Sequence, residues 1–173
     1  MILVSYDGSA DAQAAIDRAA QLMPGAEATV LTVWEPFIDT LAGRGTLGAG
    51  LGVGLGLAAS YADGDRVDQS STDAALTSAT EGAARATAAG LVARPRTASR
   101  DGNIANAILA SAADVDADVV VMGTRGLSGV KSFLLGSVSH AVVQHADRAV
   151  LVVPAPDIAE RRREWVHRDA APE

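Results

Sequence analysis

The chain is 173 residues long, which suits one domain with a substantial buried core, and only 3% of it is aromatic, so Ala, Val, Leu and Ile must build that core. Its formal net charge of −7 excludes the broad basic face that nucleic acid or an anionic membrane would need, whereas a nucleotide needs only a local positive field. The absence of cysteine excludes disulfides, thiolate chemistry and zinc–thiolate sites.

A strand and a helix are predicted first. Residues 2–4 are apolar and lead into a polar turn at residues 5–9, without a charged-then-apolar leader, so we expect a cytoplasmic protein. Apolar side chains then recur at helical spacing over residues 11–23, and a Pro-Gly pair ends that helix. Asp7 therefore lies at the carboxyl end of a buried strand, the edge at which open α/β sheets bind ligands. Two roles are open to it: a cap for the helix, or a contact to a ligand.

The second predicted strand, Ala28–Trp34, leads into a glycine-rich segment at residues 35 to about 60. Within it, Gly43–Gly48 matches the dinucleotide fingerprint in form, but it does not open a helix directly from the strand, so we reject that motif. The apolar part, residues 46–59, is shorter than the roughly 20 residues of a membrane span, so no membrane partner is predicted. We predict a mobile insertion here, with a lid near a ligand as the alternative.

Strands and helices continue to alternate along the chain. Pro95 predicts an edge position or an irregular start for the third strand, and Asp101 or Asn103 is predicted to cap the helix after it. These elements are a helix at Asp73–Ala89, a strand at Leu91–Ser99, a helix at Ile104–Ala110, and strands at Ala117–Met122 and Ala149–Pro154. Five strands alternating with four helices predict an α/β fold, a five-stranded parallel, doubly wound sheet with helices on both faces.

The fifth strand is apolar and is predicted at an edge of the sheet. An uncovered edge favours pairing with a second copy, so we predict a homodimer through this last strand. Residues 155–173 then form a charged tail that contains Arg161–Arg163 and Trp165. We predict that this tail is solvated and partly disordered, with a short helix as the alternative.

The main functional signal lies between the fourth strand and the last helix. The pattern Gly-x2-Gly-x9-Gly-Ser is formed by Gly123, Gly126, Gly136 and Ser137. Unpaired N–H groups and the positive end of the helix dipole favour an anion such as phosphate where that helix begins. Arg125 and Lys131 add positive charge, while neither a Walker A nor a Rossmann pattern is present in this stretch. The alternative is a glycine-rich turn that only links strand and helix.

This pattern resembles that of the ATP-binding branch of the universal stress protein family, and residues 1–154 are similar to the family in element order as well. The resemblance implies a Rossmann-like fold of the adenine nucleotide alpha hydrolase type, a domain at residues 1–154 and dimerisation through the last strand. It implies that Asp7 acts toward Mg2+, ribose or base, and that backbone at Val33 meets the adenine. The implied nucleotide-binding residues are Ser5, Asp7, Val33, Met122, Gly123, Arg125, Gly126, Gly136, Ser137, Val138 and Ser139.

Other catalytic constellations are absent from the sequence. His140 and His145 are not at the i and i+4 positions of a zinc pair, and His167 is in the tail. The acidic residues predicted at solvated helix ends and strand entries are Asp11, Asp17, Asp114, Asp116 and Asp118. We therefore predict an ATP-binding, nucleotide-linked regulator in the stress response, without fast catalysis. The alternatives are a slow ATPase or phosphotransferase at the same site, and a dimeric interaction module that binds no nucleotide.

Overall fold

The computed structural model describes residues 1–36, 53–100, 102–126 and 135–169. In chain order the elements are β1 (Ile2–Ser5), α1 (Ala10–Leu22), β2 (Glu27–Trp34), α2 (Val53–Ala88), β3 (Val92–Ser99), α3 (Ile104–Asp114), β4 (Val119–Gly123), α4 (Ser137–His145), β5 (Ala149–Val153) and α5 (Pro156–Asp169). The rejected fingerprint at Gly43–Gly48, the alternative cap Asp101 and the basic residue Lys131 lie outside the described residues.

The five described strands form one parallel sheet in the order β3-β2-β1-β4-β5. β1 is central, since Val4 is paired with Val30 of β2 on one side and with Val121 of β4 on the other. The strand order therefore reverses between β1 and β4, and their carboxyl ends form the switch point at which such sheets bind ligands. The predicted α/β class is confirmed, and both β3 and β5 lie at the predicted sheet edges.

Alternate side chains of β1 enter two different cores, because successive residues of a strand point to opposite faces. Val4 packs with apolar residues of α1 and α2, whereas Leu3 packs with those of α3 and α4. The fully buried side chains of these cores include Ile16 of α1 and Ile108 of α3. Helices thus cover both faces of the sheet.

The helix α2 is longer than the sequence predicted. It begins at Val53 rather than near Asp73, so the last part of the glycine-rich segment is helical and not a mobile insertion. Glycine has low helix propensity, which explains why the pattern did not indicate this start. The rest of the predicted insertion, residues 37–52, lies outside the described residues.

The charged tail forms a helix where the sequence predicted partial disorder. α5 begins at Pro156, and proline is favoured in the first turn of a helix. Ala155 and Ile158 are buried, so the start of α5 packs on the rest of the domain. Among the helices of the described ranges, none is both long and apolar enough to cross a membrane.

Candidate functional site

Three segments meet at the carboxyl edge between β1 and β4. They are the turn after β1 with Asp7, the residues after β4 with Gly126, and the start of α4 at Gly136. A Cβ atom placed on Gly126 would lie 2.7 Å from Asp7 Oδ2. Asp7, the carboxylate of the predicted site, therefore lies next to the glycine loop that follows β4.

Asp7 organises the turn between β1 and α1. Its Oδ1 accepts a hydrogen bond from the backbone N–H of Ser9 at 3.0 Å, and Gly8 between them has a φ of +81°, which favours glycine. Ser9 is the N-cap of α1, since its Oγ accepts from the N–H of Ala12 at 3.2 Å. Asp7 thus has a structural role through Oδ1, while Oδ2 lies toward Gly126. The two roles left open by the sequence are compatible in one side chain.

Gly123 is required by packing between β4 and α1. A Cβ atom on Gly123 would lie 2.6 Å from Asp11 Cβ and 2.8 Å from the Asp11 carbonyl carbon, which is too close for any other residue. This close approach buries Asp11, which is 5% exposed. The prediction that Asp11 is a solvated helix-end residue was therefore wrong.

Thr124, at the beginning of the glycine loop, is hydrogen-bonded to three other elements. Its N–H donates to the Val153 carbonyl of β5 at 3.0 Å, and its hydroxyl donates to the Asp11 carboxylate of α1. Its carbonyl accepts from the Gly136 N–H at 2.8 Å and from Ser139 Oγ at 2.9 Å, both at the start of α4. Thr124 is only 1% exposed. The loop between residues 124 and 136 is consequently closed at its base.

The start of α4 presents main-chain donors at this edge. Gly136 is the N-cap and makes no side-chain cap bond, so its place is set by the bond to Thr124. The first N–H groups of a helix have no acceptor within that helix. Those of Ser137, Val138 and Ser139 lie in this first turn, and the side chain of Ser137 is exposed. The hydroxyl of Ser139, by contrast, donates inside the protein, to the carbonyls of Thr124 and Gly136.

Arg125 lies against Asp11. Its Nε is 3.8 Å from Asp11 Oδ2, and its side chain is 15% exposed. Arg125 thus places one positive charge beside the buried Asp11 carboxylate. The structure places Arg125 at the predicted edge of the sheet, with most of its side chain buried.

The remaining predicted residues line the adjacent strand ends. Ser5 and Val33 are half-buried at the ends of β1 and β2, while Met122 of β4 is buried in the core that also contains Leu3. Arg100 and Asn103 follow β3, and Asn103 has the cap role that the sequence predicted. The Arg100 guanidinium pairs with the Glu35 carboxylate, and Asn103 Oδ1 accepts from the Asn106 N–H at 2.8 Å.

The donor set at this edge restricts how a metal ion could be held. Within the described ranges, no three His, Cys, Asp or Glu side chains form a group that could bind a metal. Asp7 Oδ2 is a hard oxygen donor of the kind that Mg2+ prefers, and Mg2+ in nucleotide sites takes most of its other ligands from phosphates and water. These residues fit an ion that enters with a nucleotide rather than one held by the protein alone.

Residues 1–154 match the sequence profile of the universal stress protein family. A universal stress protein of Thermus aquaticus is 34% identical over 154 residues, which cover 88% of this chain and 96% of that protein. A putative universal stress protein of Staphylococcus saprophyticus is 49% identical over a shorter match of 49 residues, 28% of this chain, which spans only 29% of that relative.

A similar solved structure is a universal stress protein in complex with cAMP. It is 27% identical, with a TM-score of 0.55, and the match covers 89% of this chain and 95% of that one. The match to the family profile at residues 1–154 includes the glycine motif after β4. The chain belongs to the universal stress protein family.

Proposed function

We propose that this protein binds an adenine nucleotide, with ATP as the expected ligand, at the carboxyl edge between β1 and β4. The main support is the closed glycine loop, in which Thr124 joins Gly136 and so holds the N-terminus of α4 beside Asp7 and Gly126. The solved relative that binds cAMP supports an adenine nucleotide as the class of ligand.

In the proposed complex, the phosphates lie at the start of α4. They accept from the N–H groups of Ser137, Val138 and Ser139 and from the Ser137 hydroxyl, and the helix dipole favours their charge. Glycine at 126 and 136 lets the backbone approach the phosphates without a Cβ atom in the way. Arg125 adds positive charge.

The other half of the proposed ligand lies along the strand ends toward β2. The backbone at Val33 meets the adenine, and Ser5 borders the ribose from β1. Met122, whose side chain is buried, takes part from β4 through its main chain. Asp7 Oδ2 acts toward the ribose or toward Mg2+ that enters with the phosphates. Asp11 is directed into the protein, where it accepts from Thr124. Of Asp7 and Asp11, only Asp7 therefore lies toward the proposed nucleotide site, beside Gly126. We therefore propose a nucleotide-linked regulator in the stress response rather than a fast catalyst.

Retention of nucleotide through purification tests this proposal directly. The purified protein is denatured, and the supernatant is chromatographed for ATP, ADP, AMP and cAMP. Stripped protein is then titrated with each nucleotide by calorimetry, with adenosine and GTP as controls. We expect an adenine nucleotide to be retained or rebound, and absence of both would contradict the proposal.

A further inference from the structure

One buried carboxylate faces both residues that separate the first two glycines of the motif. Asp11 Oδ2 accepts from the hydroxyl of Thr124 and lies 3.8 Å from Nε of Arg125. The side chains of Asp11 and Arg125 are 7% and 15% exposed. A charge withdrawn from water is costly unless an opposite charge compensates it. Asp11 and Arg125 therefore compensate each other within the wall of the candidate site.

We propose that Asp11 competes with the phosphates of the nucleotide for the charge of Arg125, and thereby sets how strongly the site prefers phosphorylated ligands. This inference rests on the proposed nucleotide site. In the free protein the Asp11 carboxylate offsets the guanidinium charge. A phosphate that arrives at Gly126 and α4 has to share that guanidinium, and it also meets the negative charge of Asp7. The Asp11 carboxylate therefore offsets part of the attraction between Arg125 and phosphate.

The substitution Asp11→Asn separates charge from shape. Asparagine keeps the size of the side chain and an oxygen that can accept from Thr124, but it removes the negative charge. The free protein becomes less stable, because Arg125 keeps a largely buried charge with less compensation. A bound phosphate then supplies the missing charge, so ATP and AMP bind more tightly, by about three- to tenfold. Adenosine has no phosphate, and its affinity stays the same.

A purely structural role for Asp11 predicts the opposite sign. If its carboxylate only holds the loop in shape, D11N loosens the loop and lowers the affinity for every ligand, adenosine included. The matched control is Asp17→Asn. Asp17 also lies in α1 and accepts from an arginine, Arg85 Nη2 at 2.6 Å, but this pair is between α1 and α2 and is nearly half exposed. D17N should leave the affinities for ATP, AMP and adenosine unchanged.

Calorimetric titration of ATP, AMP and adenosine into wild type, D11N and D17N tests the proposal. A gain for ATP and AMP without a gain for adenosine in D11N supports it. If D11N/R125Q binds ATP and AMP more tightly than R125Q by the same factor, the effect does not depend on Arg125, and the proposal is overturned. Equal or weaker ATP binding by D11N, with binding by wild type intact, overturns this inference alone. Absence of nucleotide binding by wild type overturns the proposed function and this inference together.

Unfolding of the same variants keeps the proposal testable if D11N does not fold. R125Q leaves the Asp11 carboxylate buried with less compensation, so it should unfold at lower denaturant concentration than wild type. The double variant D11N/R125Q removes both charges and should recover part of that stability. Recovery supports the pairing of these two charges, and a double variant that is no more stable than R125Q contradicts it.

Discussion

At the scale of single residues, the start of α4 offers main-chain donors to the candidate site, together with the exposed hydroxyl of Ser137. The hydroxyls of Thr124 and Ser139 each have one proton, and both donate to acceptors within the protein. Their role is to fix the backbone at each end of the loop. Recognition by backbone of this kind is sensitive to any side chain that changes the path of the chain, and Gly136 is the position where this can be tested.

Substitution of Gly136 should reduce nucleotide binding in proportion to the size of the new side chain. A Cβ atom at this position would lie 3.0 Å from the Thr124 carbonyl oxygen and 3.5 Å from Arg125 Cα. We expect Gly136→Val to weaken ATP binding by at least about tenfold, because the branched side chain would press against Thr124 and Arg125 and displace the main chain that is proposed to bind the phosphates. Calorimetric titration measures the affinity, and circular dichroism checks the fold. Gly136→Ala is the graded control, with a smaller loss, and unchanged affinity in Gly136→Val would mean that the phosphates bind elsewhere.

Tyr6 gives a prediction for the alkaline range. The residue is 6% exposed, and burial raises the pKa of the Tyr6 hydroxyl above its usual value. The nearby Glu81 and Asp7 charges act in the same direction, and Arg85 acts in the opposite one. The unfolded chain then loses the Tyr6 proton at lower pH than the folded chain, so the free energy of unfolding falls as the pH rises above about 10.

Urea unfolding of wild type and Tyr6→Phe across pH 8 to about 11 measures this contribution. The decrease in the free energy of unfolding with rising pH should be smaller in Tyr6→Phe, because phenylalanine does not ionise. Absorbance titration of tyrosinate gives an independent check, since the chain has two tyrosines and the variant removes one. An identical slope of stability against pH in the two proteins would contradict the assignment to Tyr6.

Sequence patterns indicated the exposed part of the site better than its buried part. Asp7, Gly126 and Gly136 could be predicted because each is marked locally, by a strand end or by motif spacing. Asp11 could not. An aspartate in the first turn of a helix is ordinarily solvated, and its burial here depends on contact with Gly123, which is 112 residues later in the chain. The glycine spacing carries no information about that packing partner.

At the scale of elements, close helix–sheet packing explains why α2 tolerates poor helix formers. A Cβ atom on Gly82 would lie 2.8 Å from both Tyr6 Cδ1 and Val30 Cγ1. The alanines on the same side, Ala75, Ala79, Ala83 and Ala86, are all buried. Small residues thus bring the α2 backbone onto β2 and onto Tyr6, which follows β1, and packing rather than intrinsic propensity stabilises the helix. Propensity alone therefore could not predict where α2 starts.

The substitution Gly82→Ala puts propensity and packing in opposition. Helix propensity favours alanine by about 1 kcal/mol, whereas overpacking of a filled core costs about 1–3 kcal/mol. The methyl group would meet the Tyr6 ring and Val30 at distances that real contacts do not reach, so we expect net destabilisation. Ala84→Gly, at an exposed position two residues further on, measures the propensity effect without the packing effect. Urea unfolding compares the two, and a stabilised Gly82→Ala would show that α2 can move outward at little cost.

At the scale of the whole molecule, strand order brings the site together. Asp7 and Gly126 are distant in sequence, and they are adjacent because β1 and β4 pair as parallel neighbours. Alternation of strands and helices predicts a parallel sheet, but it does not by itself determine which strands are neighbours. The order of the strands in the sheet is therefore a finding of the structure and was not predicted. In this order β5 lies at an edge of the sheet, and no strand of the described ranges pairs with its outer side.

The open edge of β5 is where we propose that two copies pair, and Val152 allows a selective test. The Val153 carbonyl accepts from the Thr124 N–H at 3.0 Å, so the main chain of Val153 faces β4. Successive residues alternate in direction, so the N–H of Val152 faces the open edge. Val152→Pro removes that N–H from both copies without removing a bond between β4 and β5, and proline is tolerated on edge strands.

We expect the dissociation constant of the dimer to rise by about tenfold or more in Val152→Pro, since two hydrogen bonds are lost per dimer. Val152→Thr is the matched control, because it keeps the N–H and the branched shape. Sedimentation equilibrium measures the association, and thermal unfolding shows whether each variant keeps its fold. Wild type and Val152→Thr should sediment as dimers at concentrations where Val152→Pro is largely monomeric. If a folded Val152→Pro associates as strongly as wild type, the copies do not meet through β5, because pairing of that edge requires the N–H that proline lacks.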